Sequence, residues 1–282
     1  MRPMRIDLHS HSNCSDGLDS PAELVRHMAM AGLEAFALTD HDTLQGLPEA
    51  REEAKKLGIE LISGAEISAE YEGQDDIHIL ALFVDENNER FNKRLVERQE
   101  NRRTRGEKLA QNLVDHGYAL DLDAIRAEVG TGVWARPHLA RALVRAGHAT
   151  SQDDAFARFL GRGHPWYVSS EKWPALDVVE AIRSAGGVSS IAHAVWYENG
   201  DRLIRELAAR GLDAIEVFHP DHGPEQEARF GNLARELGLA MTAGSDFHGT
   251  PEGRKHPGGV VGTGEMLGIL KTLKTQARRP TP

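Results

Sequence analysis

The chain has one cysteine, Cys14, so no disulfide can close within it, and a reducing compartment suits that composition. It has no apolar run near the roughly 20 residues that a membrane-crossing helix needs, and a helical membrane protein is not expected. The opening residues, MRPMRIDLHS, lack the apolar core of a secretory leader, so a cytoplasmic location is expected. Positive charge is in deficit, 33 basic residues against 43 acidic ones. That balance gives no bulk attraction for nucleic acid or membrane, although a local basic groove is compatible with it. Internal repeats and low-complexity tracts are also missing. Histidine, in contrast, is plentiful: there are 14, many following or interrupting apolar runs rather than scattered over polar stretches.

A chain of 282 residues can bury a substantial core as one α/β barrel. Its first third alternates regularly. Arg5–His9 is a short β-like run, Ser20 and Pro21 open a helix, and Ala35–Thr39 is an apolar strand. Thr43–Leu57 is a helix closed by Gly58, Glu60–Ser63 starts a strand, and Ile77–Val84 is another. Apolar strands separated by helices predict a parallel sheet. From Asp85 the pattern turns charged and helical, with helices expected at Phe91–His116, Leu122–Val129 and Pro137–Ala146. The alternation resumes with a helix at Leu176–Ala185 and strands at Val188–Ala192, Ala214–Phe218 and Leu239–Gly244. Helices lie between these strands, at Arg202–Arg210 and Pro224–Leu237, and a last one covers Glu265–Thr275 before the tail Arg278–Pro282, expected to fray. The fold class is α/β, a distorted (β/α)7 barrel formed by residues 1–85 and 174–282, with a small helical cap insertion at 86–173.

The polar residues at the strand ends carry the chemistry. His9 and His11 are two apart on one strand, so they share a face and can grip one cation. Asp16 follows on a glycine-containing loop, and the second strand runs out into Asp40, His41 and Asp42. The third leads to Glu66 and the fourth contains His78. The later strands end in His193, in His219, and in the pair Asp246 and His248. Functional groups of α/β barrels gather where strands end. Burying this many imidazoles and carboxylates together without a cation would be costly.

HSH at 9–11, TDHD at 39–42, GAE at 64–66, IAH at 191–193 and GSDFH at 244–248 together resemble, in order, the PHP (polymerase and histidinol phosphatase) family of metal-dependent phosphoesterases. The resemblance implies a barrel holding up to three divalent metals, with manganese foremost and iron or zinc suited to the same mixed donors. Carried over by position, it implies one site of His9, His11, Glu66 and Asp246. A second shares Glu66 and adds His78 and His193, and a third uses Asp16, His41 and His248. His78 stands near the start of its strand and reaches the others only if residues 66–78 fold back as a hairpin. Ala194 stands where relatives commonly have proline, a departure expected to affect loop stiffness.

Within the family, the segments Trp134–Leu139 and Gly161–Pro165 resemble nucleotide 3′,5′-bisphosphate phosphatases, also described as 5′→3′ exonucleases on short RNA. The expected activity is metal-assisted removal of the 3′-phosphate of such a bisphosphate, with a phosphorylated nucleotide or short RNA end as partner and no obligate protein partner inferred. Rival readings are a sugar- or amino-alcohol-phosphate phosphatase, a C–N hydrolase and a non-catalytic metal-binding accessory domain. Asp40, Glu66, Asp246 and His219 are the catalytic candidates. Arg136, His138, His164 and His219 are the substrate-binding ones, Arg136 because a guanidinium matches phosphate bidentately. Arg94, Arg98, Arg102 and Arg105 fall at helical spacing, but Glu97, Glu100 and Glu107 interleave with them, so a solvated salt-bridged face is expected. Trp134, Trp166 and Tyr167 are read equally as base-stacking groups or core, and Cys14 as a spectator.

Overall fold

The computed structural model describes residues 4–130, 134–161, 163–168, 173–249 and 255–277. The tail 278–282 lies outside them. Among the described residues are eight strands: β1 (Arg5–Asp7), β2 (Ala35–Leu38), β3 (Glu60–Tyr71), β4 (Gln74–Leu82), β5 (Val188–Ile191), β6 (Ala214–Phe218), β7 (Ala240–Ala243) and β8 (Gly262–Thr263). Helices α1 (Pro21–Met30) and α2 (Leu47–Leu57) join the first three strands, and α8 (Gly200–Ala209) and α9 (Pro224–Leu237) join the last parallel ones. Local chemistry sets their ends. Ser20 and Glu23 form a reciprocal cap ahead of α1, with Pro21 in its first turn. Left-handed Gly58 and Gly238 close α2 and α9.

The strands follow the order β7-β6-β5-β4-β3-β2-β1-β8. Past their ends, β1 and β7 meet: Leu8 N–H donates to Ala243 O (3.0 Å), Asp246 N–H donates to His9 O (2.9 Å), and Ser10 bridges Phe247. The sheet thus closes into a nearly complete barrel. Two features depart from seven uniform strand–helix units. The short β8 adds an antiparallel edge to β1. β4 runs antiparallel to both β3 and β5, because Glu72 and Gly73 both take positive φ (47° and 86°) and turn the chain back in two residues.

Ile6, Leu8, Ala37, Ile62, Leu80 and Val188 fill the barrel, together with Leu267 and Leu270 of the last helix, α10 (Gly264–Ala277). That helix packs on β1, β5 and β7 where the parallel strands begin, leaving the opposite mouth for the polar strand ends. The 27-residue α3 (Glu89–Asp115) leads into α4 (Leu122–Val129), α5 (Arg136–Arg145), the one-turn α6 (Gln152–Ala155) and a π-helical turn at Phe156–Leu160. These share a separate apolar cluster that includes Leu109, Leu113, Leu139, Phe159 and Trp166. Chain return is through α7 (Ala175–Ser184), packed on β3, β4 and β5. None of the described helices is long and apolar enough to cross a membrane.

Barrel closure needs a glycine at 244, since a Cβ there would sit 2.2 Å from His9 Cβ and 2.8 Å from Glu216 Oε1. Gly244→Ala is therefore expected to cost about 3 kcal/mol, the upper end for overpacking. The check is a lowered urea midpoint with an unchanged slope.

Candidate metal centre and its cavity

Glu66 lies on the inner face of β3, and five imidazoles surround its carboxylate. Oε2 is 3.2 Å from His9 Nε2, His11 Nε2 and His41 Nδ1. Oε1 is 2.9 Å from His78 Nδ1 and His193 Nε2. The β3–β4 hairpin makes the His78 contact: His78 pairs with Ser68, so its side chain shares the face that Glu66 and Leu80 present. Asp246 Oδ1 is 3.4 Å from His9 Nε2, 3.5 Å from His11 Nε2 and 3.6 Å from His248 Nδ1. Asp16 completes the ring, 3.6 Å from His41 Nε2 and 3.4 Å from His248 Nε2. The structure therefore brings all nine sequence-predicted ligands into one cluster.

Several of these nitrogens point at one another's neighbourhood without forming hydrogen bonds. His9 Nε2, both ring nitrogens of His11, and His41 Nδ1 are buried with no hydrogen-bond partner. Leaving such groups unsatisfied costs roughly 1–3 kcal/mol each. Donor atoms of His11, Asp16, His41 and His248, of His9, Glu66 and His193, and of His41, Glu66 and His78 lie within 4.8 Å of one another in each group. Buried, convergent nitrogen and carboxylate donors fit divalent transition metals. Cys14 joins none of these groups among the described residues. Burial and the nearby Asp40 carboxylate push its thiol up to about 11.

The charges are interlocked. Burial alone would lower the His11 ring, but the Asp246 and Glu66 carboxylates hold it up to about 10. His9 is likewise held well above its usual range, by Glu216, Glu66 and Asp246 against its burial. Burial would raise Glu66, yet His78 and the other imidazoles hold it well below the usual carboxylate range. His193, in contrast, is driven down to about 4 by burial.

Other side chains set the cluster's geometry. Glu216, which sequence reasoning passed over, is fully buried. It holds His9 Nδ1 at 2.9 Å and accepts the His193 backbone N–H at 2.8 Å. An inward Glu between the outward Ile215 and Val217 of a strand was the available signal. Tyr197 accepts from His78 N–H (2.9 Å) and reaches His193 Nδ1 (3.1 Å). Asp40 is not among the clustered donors. It accepts from Ser12 N (2.7 Å), Ser12 Oγ (2.6 Å) and Ser15 Oγ (2.8 Å), and so holds the turn that carries Asp16. His219 accepts the Asp221 N–H at Nδ1 (3.1 Å), with Nε2 3.5 Å from Asp246 Oδ2. It lies behind Asp246 and does not line the cavity. Ala194 opens a 3-10 turn, and His193 before it has a left-handed φ of 28°.

The cluster opens into a cavity of about 330 Å³ between the barrel mouth and the helical segment. Its far wall comes from α3. Phe91 and Leu95 pack on the barrel side and Leu109 and Leu113 on the helical side. Arg98, Arg102 and Arg105 between them line the cavity. Arg98 is 5% exposed, and Arg102 donates to Asp42 (3.1 Å) and Ser68 (2.7 Å). The salt-bridged solvated face holds for Arg94 with Glu97 and for Arg103 with Glu100 and Glu107, but not for these three. A signal was present: the arginines take the helical positions that the flanking Leu95 and Leu109 fill with apolar groups.

Arg136 also lines the cavity, held bidentately by Asp76 (3.0 and 2.7 Å). His138 and His164 do not line it. His138 Nδ1 accepts the Ala135 N–H (3.0 Å) at the start of α5, and His164 stacks on Trp166, their rings 5.1 Å apart. Trp166 belongs to the helical core, and Tyr167 donates to Asp75 (2.9 Å). Lys255, unpredicted, reaches the cavity from the other side, 3.2 Å from Asp246 Oδ2.

Since carboxylates hold His9 and His11 protonated, a cation entering the cluster must displace those protons. Adding Mn²⁺ to chelator-treated protein is expected to release protons and to stabilise the fold by about 3 kcal/mol at a hundredfold excess over Kd. Apparent affinity should rise with pH, about tenfold per unit for each proton displaced. Glu66→Ala should abolish the thermal shift. Calorimetry in buffers of different ionisation enthalpy and thermal melts check this.

The family profile of the PHP domain matches residues 7–127. The chain is 36% identical to a 5′-3′ exoribonuclease of Haemophilus influenzae, over 95% of this chain and 96% of that one. It is 35% identical to a 3′,5′-nucleoside bisphosphate phosphatase of Chromobacterium violaceum, over 90% of each. A crystal structure from Bifidobacterium adolescentis, described as a metal-dependent phosphoesterase, superposes with a TM-score of 0.86 at 31% identity, covering 95% of both chains. With its clustered histidines and carboxylates and near full-length relatives, the chain belongs to the PHP family and is a metal-dependent hydrolase of phosphoric esters.

Proposed function

We propose that this phosphoesterase removes the 3′-phosphate of nucleoside 3′,5′-bisphosphates, adenosine 3′,5′-bisphosphate foremost, and that it accepts short RNA ends at the same place. One observation carries the reading. A single cavity has two separate walls suited to phosphate, the histidine–carboxylate cluster on the barrel, whose donors would hold cations facing it, and Arg98, Arg102, Arg105 and Arg136 on the helical side. A substrate with two phosphates at its ends fits that division. Residues 86–173 then serve as a cap that brings the arginines over the barrel mouth.

His9, His11, Glu66 and Asp246 would hold one cation, Glu66, His78 and His193 a second, and Asp16, His41 and His248 a third, with manganese the leading candidate and iron or zinc compatible. Bound cations supply Lewis acidity toward phosphoryl oxygens and make water nucleophilic at neutral pH. Asp40 serves by fixing the Ser12–Asp16 turn, and His219 by holding Asp246 from behind. Arg136, pre-set by Asp76, and Arg102, pre-set by Asp42 and Ser68, meet the second phosphate without paying to be ordered. His138 contributes by capping the helix that begins with Arg136.

The cavity continues into a groove of about 1400 Å³ whose walls include Glu72, Asp75, Asp76, Asp153, Glu198 and Asp221, against Arg136 and Lys255. That acidity opposes a long polyanion, so RNA acceptance is expected to be confined to short ends.

Mn-loaded protein should release phosphate from adenosine 3′,5′-bisphosphate and leave 5′-AMP intact, with 3′-AMP and a sugar phosphate turned over more slowly. Turnover of the sugar phosphate alone would overturn the substrate assignment. Asp246→Ala should lower kcat by about two to three orders of magnitude, the scale of a single electrostatic group in such sites. Arg102→Ala and Arg136→Ala should each raise KM for the bisphosphate about tenfold, and raise KM for 3′-AMP less.

A further inference from the structure

The chain's four tryptophans divide unequally. Trp134, Trp166 and Trp173 are buried, while Trp196 is 49% exposed. Trp196 ends the short turn after β5, and its ring stands at the point where the cavity passes into the outer groove, lining both. It is held in place there. Its ring stacks on His193, centroids 4.0 Å apart, and its carbonyl accepts from Gln74 Nε2 at 3.4 Å. The next residue, Tyr197, is tied to His193 and to the His78 backbone. The Lys255 ammonium lies 5.3 Å from the ring centre. From the helical side the half-buried Phe156 lines the same two spaces.

We propose that Trp196 is the platform on which the base of a nucleotide substrate stacks, with Phe156 bounding the base from the opposite wall. The proposal rests on the nucleotide reading above and names the group that would make the site select a nucleotide over a plain phosphate ester. A rigid indole with half its surface open, next to a cluster of anion-binding groups, offers the pair of features that a nucleotide presents in turn: charge at the phosphates and a flat π-face at the base. Because its neighbours pre-set the ring, little side-chain freedom is lost on stacking. A sugar ring could also lie against an indole, and the experiment separates the two.

Tryptophan fluorescence of the metal-loaded full chain is followed while adenosine 5′-monophosphate or the base-free ribose 5-phosphate is added. Adenosine 5′-monophosphate is expected to quench, ribose 5-phosphate is not, and Trp196→Phe is expected to remove most of the response, because Trp134 and Trp173 line the cavity only as buried side chains and Trp166 lies in the helical core. In kinetics, Trp196→Ala should lower the ratio of kcat/KM for adenosine 3′,5′-bisphosphate to that for base-free ribose 3,5-bisphosphate about tenfold, the scale of one base stacked on an aromatic ring. Trp196→Phe should restore most of that ratio. No quenching by adenosine 5′-monophosphate, equal quenching by ribose 5-phosphate, or an unmoved ratio in Trp196→Ala would overturn the proposal. Quenching that persists when the bisphosphate proves not to be hydrolysed would uphold the platform and sink the assigned reaction instead.

Discussion

A single buried carboxylate, Glu66, has five imidazoles within 3.2 Å of it. An ionised carboxylate out of water costs several kcal/mol unless positive charge surrounds it, so the strand ends must deliver cationic or metal-ligating groups to one point. His9 and His11 follow β1, His41 follows β2, His78 lies on β4 and His193 follows β5. Each strand's register is then constrained, since a slip by one residue would turn its imidazole away from the cluster. Part of the cost appears in the backbone. Asp42, His193 and Asp246 take positive φ values of 53°, 28° and 51°, each worth about 1–3 kcal/mol of strain. These residues sit where the chain leaves a strand and must re-aim a side chain or backbone group at the mouth.

The second constraint is the long helix that crosses that mouth. α3 is anchored by apolar side chains at both ends, in two different cores. Its middle turns are freed to carry arginines over the cavity. Gly106 allows the close approach of Trp134, since a Cβ there would lie 2.3 Å from the Trp134 carbonyl oxygen. Asp42 and Asp76 hold two of the guanidinium groups in fixed orientations. Charges that are both paired and half-open to a cavity can be redirected to a phosphate at little conformational cost. The net charge of −10 thus coexists with a basic wall.

His78 shows how a local reading is completed by its neighbours. Placed near the start of an apolar run, it looked remote from the other ligands; the two left-handed residues Glu72 and Gly73 reverse the chain and set it opposite Ser68. Arg98, Arg102 and Arg105 show the opposite case. Interleaved with glutamates, they looked like a solvated face, but helical geometry separates Arg103 and Glu100 to the outside from Arg98 and Arg102 to the inside. Asp40, one of the catalytic candidates, ties down the turn of Asp16 with three hydrogen bonds. His138 and His164 have the residue types of a phosphate site, yet one caps a helix and the other stacks on Trp166.

The sequence by itself determined the alternation of strands and helices, the charged helical segment between them and the identity of the nine histidines and carboxylates that cluster at the mouth. Hydrophobic periodicity and the placement of polar groups after apolar runs are local properties, written within a few residues of one another. Only the tertiary structure decided that β4 runs backward, that α3 turns three arginines toward the cavity, that Glu216 and Tyr197 brace the imidazoles, and that Trp196 is the tryptophan left open at the mouth. Each of those depends on which residues distant in the chain come to lie opposite one another, and burial and orientation of that kind are properties of the packed whole.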